Sequence, residues 1–289
     1  MTGATGRRRG GRFTDAGRGS QPVELVPGSL YAFGGTVTMD SRISWISPAD
    51  SGYQPLNGYL IKEGSNALLI DTGVALHRKD VLEQLSMLID DQTKPRVLFT
   101  RAELDATGNL IAIAARFGVE VVNAGGNVNP FDAFEEVGQV GRIAASFRVE
   151  RVASGESLSI GDGRAIEVIR PPLRMLNTTW AYDPRTKTLF TSDSFGHTFL
   201  EQDRYAPVLT AERDATDYAQ VRRHTCARYW WLQHAVSPRL ATEMTKLYDR
   251  YDIERIAPTH GCVLEGAELV RKHQRWLNAV LHGETGESG

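Results

Sequence analysis

Four times along the chain a short run of β-forming residues breaks off into a polar loop. NALLI runs into Asp71-Thr72-Gly73, RVLFT into the stretch Arg101 to Gly108, LFTS into Asp193, and RIAP into Thr259-His260. Apolar runs of this length, bounded by turn residues, read as buried strands. Loops at the carboxyl ends of strands in α/β sheets converge, which makes these four candidates for one shared site. Any fold this chain adopts has to bring strand ends from both halves of the sequence to one edge.

The segments between these loops supply the rest of the architecture. NGYLIKEGSNALLIDTG holds two β runs around Gly64-Ser65-Asn66, a hairpin signature. Val81, Leu82, Leu85, Leu88 and Ile89 share one face at helical spacing and predict a helix over 77–90. NLIAIAARFG predicts a second helix, ended by Gly118, and VEVVNAGG returns to a strand. Later, ESLSIGDGRAIEVI reads as two strands around a Gly-Asp-Gly turn, and TWAYDPRTKTLFTSDSFG as a hairpin turning at Asp183-Pro184-Arg185. Helices are predicted over 215–236, 239–251 and 265–281, with the strand RIAPTHG between the last two. Hairpins in both halves, with helices gathered late, predict two mixed β-sheets with helices packed outside: one α/β domain over 22–282. The basic stretch 1–21 and the short 283–289 are expected to be disordered tails.

Composition removes several classes of function. The formal net charge of the 289 residues is −2, so no global field points to nucleic acid or an anionic membrane. No apolar run approaches the ~18 residues of a membrane span. Cys226 and Cys262 are too few for a disulfide scaffold, so a reducing, cytoplasmic setting is expected.

The four loops, in this order, resemble the metallo-β-lactamase superfamily, in the diiron branch of flavodiiron and related oxygen-binding proteins. That branch carries His-x-Glu-x-Asp-His-Ser-Gly after a strand, and here Arg101, Glu103, Asp105, Ala106, Thr107 and Gly108 stand in those places. A further histidine is expected ahead of Tyr182-Asp183, where counting back gives Arg174. LFTSDSFG matches the motif of the bridging aspartate, Asp193, and PTHG that of the last histidine, His260. The resemblance covers about residues 28–280 and implies an αββα sandwich. Asp71 in LIDTG then supports the metal loop. No flavodoxin-like segment follows, so an FMN-linked oxygen reductase is not expected.

The departures from the family pattern shape the functional expectation. A guanidinium has only donors and stays protonated, so Arg101 and Arg174 cannot replace imidazoles as ligands. The residual ligand set is Glu103, Asp105, Asp193 and His260, holding at most one Zn or Fe ion. Arg101 and Arg174 are expected to act electrostatically, supplying about the charge of one lost divalent cation to the remaining carboxylates. Tyr229 and Trp230 are candidate substrate-binding residues. His197, His224 and His234 could reach the pocket, while Cys262 reads as a buried apolar residue before it reads as a nucleophile.

The resemblance then implies a hydrolase subunit with a degenerate metal centre. Its expected partner is an intact, metal-binding homologous subunit, or a second copy of itself, and its substrate a small aromatic ether or ester. A two-subunit hydrolase of the dinitroanisole O-demethylase kind, which cleaves a nitroaromatic methyl ether, is similar in outline. Two other readings remain: a self-sufficient one-metal hydrolase using Asp105, Asp193 and His260, or a non-enzymatic protein whose arginine-lined pocket binds an anion or small molecule.

Overall fold

The computed structural model describes residues 21–40, 43, 45–125, 147–161, 163–175, 177–235 and 238–284. Nearly all of both expected tails lies outside these residues.

Alternation and turn chemistry build two seven-stranded sheets. The first runs in chain order: β1 (Val23–Val26), β2 (Leu30–Thr38), β3 (Tyr53–Glu63), β4 (Asn66–Ile70), β5 (Lys94–Phe99), β6 (Val121–Gly125) and β7 (Arg148–Val152). Its first four strands pair antiparallel and its last four parallel. The parallel part follows from the helices between strands. These are α1 (Arg78–Ser86), the single turn α2 (Leu104–Thr107) and α3 (Leu110–Phe117), which ends on Gly118 at φ 70°. Only glycine adopts that left-handed C-terminal position without steric cost.

The second sheet has the order β12-β14-β13-β11-β10-β9-β8. Its strands are β8 (Ser157–Gly161), β9 (Arg164–Ile169), β10 (Trp180–Asp183), β11 (Thr188–Ser192), β12 (Val208–Leu209), β13 (Arg255–Pro258) and β14 (Val263–Glu265). Helices α4 (Tyr218–Arg228), α5 (Pro238–Arg250) and α6 (Ala267–His282) accompany it. The helix expected over 215–236 therefore stops at Arg228 and passes into a short 3-10 turn, Trp230–Gln233.

Three apolar clusters define the layers. Leu30, Tyr59, Leu68 and Leu98 meet Ile166, Val168, Ala181 and Phe190 between the sheets. Val81, Leu85, Leu110 and Ile113 cover the outer face of the first sheet. Ala241, Met244, Val270 and Leu277 cover that of the second. The result is the expected αββα sandwich.

Polar ties fix how the sheets meet at the edge where the four loops end. Asn57 on β3 donates its Nδ2 to the carbonyls of Pro258 (2.9 Å) and Gly261 (2.8 Å). Leu56 bridges His260 through the backbone. β4, β5, β11 and β13 consequently deliver their carboxyl ends to one place.

Candidate functional site

Strain marks those ends. Asp71 (φ 57°), Ser192 (φ 52°) and Phe195 (φ 66°) are all left-handed, a conformation that costs a non-glycine residue roughly 1–3 kcal/mol and clusters at functional sites. Asp71 is held there by Thr100, which donates its N–H (2.8 Å) and its hydroxyl (2.7 Å), and by the Thr259 hydroxyl (3.0 Å). It thus pins the loops after β4, β5 and β13 together, the supporting role expected of it. Gly261 (φ 94°) lets the PTHG loop pass the Phe195-Gly196 turn. A Cβ there would lie 3.0 Å from the Gly196 backbone.

At the centre stands Arg101, only 3% exposed. Its Nη2 donates to Asp105 Oδ2 at 2.7 Å and lies 3.2 Å from His260 Nε2. Its Nη1 donates to Ser192 Oγ at 2.9 Å, and its Nε is 3.4 Å from Asp193 Oδ1. Asp71 Oδ2 is 3.8 Å away. His260 Nε2 is also 2.7 Å from Asp105 Oδ2. That nitrogen is best placed to carry the proton and donate it to the carboxylate, so the approach of Nη2 is a contact rather than a second hydrogen bond.

A second guanidinium closes the site from α4. Arg228 Nη2 meets Asp193 Oδ1 at 2.5 Å, and the Arg228 guanidinium stacks 4.3 Å over the Trp45 ring. Trp45 in turn lies face to face with His260, with centroids 5.0 Å apart and planes 9° apart.

These charges decide the protonation states. Burial pushes the Asp105 and Asp193 carboxyls upward. The Arg101 guanidinium, assisted by His260 and, at Asp193, by Arg228, outweighs it and holds both below the ordinary carboxylate range. At Asp71 burial wins over Arg101, and its carboxyl is raised.

His224 reaches the site's edge from the same helix, four residues before Arg228. It is buried, and its Nε2 has no hydrogen-bond partner among the described residues. Burial first, then Arg228 and His260, lower it to about 3. A histidine depressed in the fold costs stability as pH falls through its unfolded value near 6.5. Replacing it with phenylalanine is therefore expected to remove that cost, about 2 kcal/mol at pH 5 and almost nothing at pH 7. Denaturant unfolding at the two pH values reads this directly, and equal slopes with pH for both proteins would contradict it.

The other expected site residues lie elsewhere. Arg174 donates Nη1 to the Pro171 carbonyl at 3.0 Å and forms no ion pair among the described residues. The second cation that sequence reasoning sought there is Arg228. Glu103 sits at the rim with its side chain 47% exposed and its Oε2 3.7 Å from Arg101 Nε. Ala106 is fully buried, and its carbonyl accepts from Thr72 N (2.6 Å) and Thr72 Oγ1 (2.8 Å). Tyr229 is a core residue whose hydroxyl bonds Ser194 Oγ at 3.0 Å. Trp230 is 66% exposed beside His234, so neither residue lines the site. His197 pairs with His273 at 2.8 Å, and His273 with Asp214 at 3.1 Å. Cys262 is buried, and burial pushes its thiol up to about 12.

Asp105, Asp193 and His260 together offer ligand atoms within 4.8 Å of one another, the spacing of a metal-binding set. An αββα sandwich with such a set at its strand ends defines a metallo-β-lactamase-like protein. The model of the family described as ODP family beta lactamase matches residues 55–261, and the chain belongs to that family. It is 24% identical over 228 residues to an anaerobic nitric oxide reductase flavorubredoxin of Aeromonas hydrophila, covering 77% of this chain and 43% of that protein. The chain thus spans less than half the length of that relative. Among solved structures it is similar to rubredoxin oxygen:oxidoreductase of Desulfovibrio gigas, with TM-score 0.63 and 21% identity over 90% of this chain and 61% of that one. It is also similar to a chemotaxis sensor ODP, with TM-score 0.57 and 15% identity over 89% and 94%.

These relatives overturn the hydrolase expectation. The proteins the chain resembles are flavodiiron oxidoreductases and a diiron sensor, not hydrolases. With the hydrolase fall the ether- and ester-cleaving substrate, the demethylase-like partnership and the one-metal hydrolase. The anion-binding alternative fails on the contacts above, because Arg101 is already engaged by carboxylates and Arg174 turns to the Pro171 carbonyl instead of joining it. No helix among the described residues is long and apolar enough to cross a membrane.

Proposed function

We propose that this chain is a flavodiiron-family module in which protein cations take the place of iron. It would serve a redox assembly beside an iron-holding homologous chain rather than as the reducing centre itself. The observation that carries this reading is the Arg101 guanidinium, set among Asp105, Asp193 and His260 at 2.7, 3.4 and 3.2 Å.

The donor set does not fit two irons. Arg101 and Ala106 offer no lone pair toward the site, and Arg174 faces Pro171. A divalent ion about 4 Å from a guanidinium is repelled by roughly 8 kcal/mol at an effective dielectric of ~20. Two guanidiniums against Asp71, Glu103, Asp105 and Asp193 leave only two negative charges over, half of what two divalent ions carry. A second reading rests on the 4.8 Å grouping of Asp105, Asp193 and His260, which could hold one Zn or Fe ion if Arg101 swung aside.

Metal analysis of the purified full chain after anaerobic incubation with ferrous iron separates these readings. Well under one iron per chain, with no consumption of oxygen or nitric oxide by the chain alone, is expected. One equivalent would favour the single-ion reading, and two equivalents with reductase activity would overturn the proposal.

A further inference from the structure

A cavity of about 560 Å³ opens beside the edge strand β12, away from the four candidate ligand residues, none of which lines it. Its apolar walls are Phe199, Leu200, Val208, Leu209 and Cys262. Cys262, buried and small, adds to the apolar floor. Two arginines stand on its rim, Arg204 and Arg213. Neither side chain forms an ion pair or hydrogen bond among the described residues, unlike Arg101, Arg164, Arg228 and Arg255. Arg213 ends the short turn Ala211–Arg213 and lines the same cavity as Cys262.

An apolar chamber of this size with a few convergent polar groups has the anatomy of a small-molecule site. A guanidinium with no partner at the mouth of an apolar chamber selects a planar anion by a paired, charge-assisted contact. We propose that this cavity binds an organic carboxylate, with its hydrocarbon body against Phe199, Val208 and Leu209 and its carboxylate on Arg213, supported by Arg204. Glu201 shares the rim and repels a second acidic group, so a monoanion is favoured over a dianion. Cys262 is two residues from His260, which joins this cavity to the PTHG loop.

The test uses the full chain and two probes of equal shape, 4-phenylbutyrate and its uncharged amide, 4-phenylbutyramide, in isothermal titration. Saturable binding of one acid per chain is expected, with the amide at least about tenfold weaker, a difference of ~1.4 kcal/mol. The double variant Arg204→Ala/Arg213→Ala should weaken the acid by a similar factor. Both positions are exposed, so the fold survives the change. A second variant, Val208→Trp, fills the chamber and should abolish binding of both probes. Absence of saturable binding at millimolar acid, equal affinity for the amide, or unchanged binding in the arginine variant would each overturn the assignment.

Discussion

Replacing Arg101 with leucine is expected to destabilise the fold by about 3–5 kcal/mol at pH 7, because a buried ion cluster that loses one partner keeps the desolvation cost of the others. Asp105 and Asp193 would remain, the first partly and the second fully buried, both facing the same small volume. In the native chain their carboxyls are depressed, so the stability they contribute is present above the unfolded value near 3.8 and is lost only as pH falls through the lower folded values. Without the guanidinium, burial dominates and their values rise. The sign then reverses: a raised carboxyl costs stability as pH climbs above 3.8. The deficit of Arg101→Leu should therefore shrink between pH 7 and pH 5, while the native chain changes little from this source. Urea unfolding at both pH values measures it. Arg101→Lys keeps the charge without the planar fork and should fall between the two. A deficit under about 1 kcal/mol, or one that is the same at both pH values, would mean that Arg101 is not the counter-charge of this site.

The expectation depends on a residue whose importance was visible in the sequence, and the contrast with Arg228 shows where legibility ends. Arg101 stands within a loop motif, so its neighbours Glu103 and Asp105 and its position after a strand locate it by local spacing alone. Asp193 and His260 were legible for the same reason, since each ends a strand. Arg228 lies on a helix that arrives from elsewhere in the fold, and no local pattern ties it to Asp193. The faint signal available was its i, i+4 relation to His224, which puts both on one face of α4. Arg174 was misplaced because its assignment rested on counting back from Tyr182-Asp183 past the start of β10 at Trp180, where no strand period fixes the count. Trp45 carried no signal at all. It lies before β3, outside any described helix or strand, and only the folded chain brings its ring onto His260.

The fold was more legible than the site because hydrophobic periodicity sums over many residues, whereas a site turns on single contacts. β3, β4, β5 and β11 follow from apolar runs with turn residues at their ends. The two-residue strand β12 is too short to show a period. β1 escapes for a related reason, as a four-residue edge strand that is only partly buried. The aromatic stretch from His224 to Trp231 misled in a different way. Its rings suggested a substrate wall, yet Tyr229 faces the core and Trp230 faces outward, because the helix ends at Arg228 and changes pitch between them.

Arg101→His tests the same centre from the opposite direction, by returning a lone pair to the position that lacks one. The change removes the central cation and adds an imidazole to Asp105, Asp193 and His260, giving two nitrogen and two carboxylate donors, a set suited to one zinc or ferrous ion. The metal-free variant should be destabilised much as Arg101→Leu is, since the carboxylates lose their counter-charge in both. Zinc should then reverse the loss: binding to the folded state alone adds about 2.7 kcal/mol at a hundredfold excess over Kd. Uptake should stop near one equivalent per chain, because Ala106 remains an alanine and Arg174 still faces Pro171, so nothing rebuilds the second position. Under the same conditions the native chain should gain no stability from zinc. Metal analysis paired with thermal unfolding, with and without zinc, separates the outcomes. Equal zinc stabilisation of both proteins would show that the guanidinium does not block the metal position. No stabilisation of either would show that Asp105, Asp193 and His260 are held together by Arg101 rather than poised for an ion.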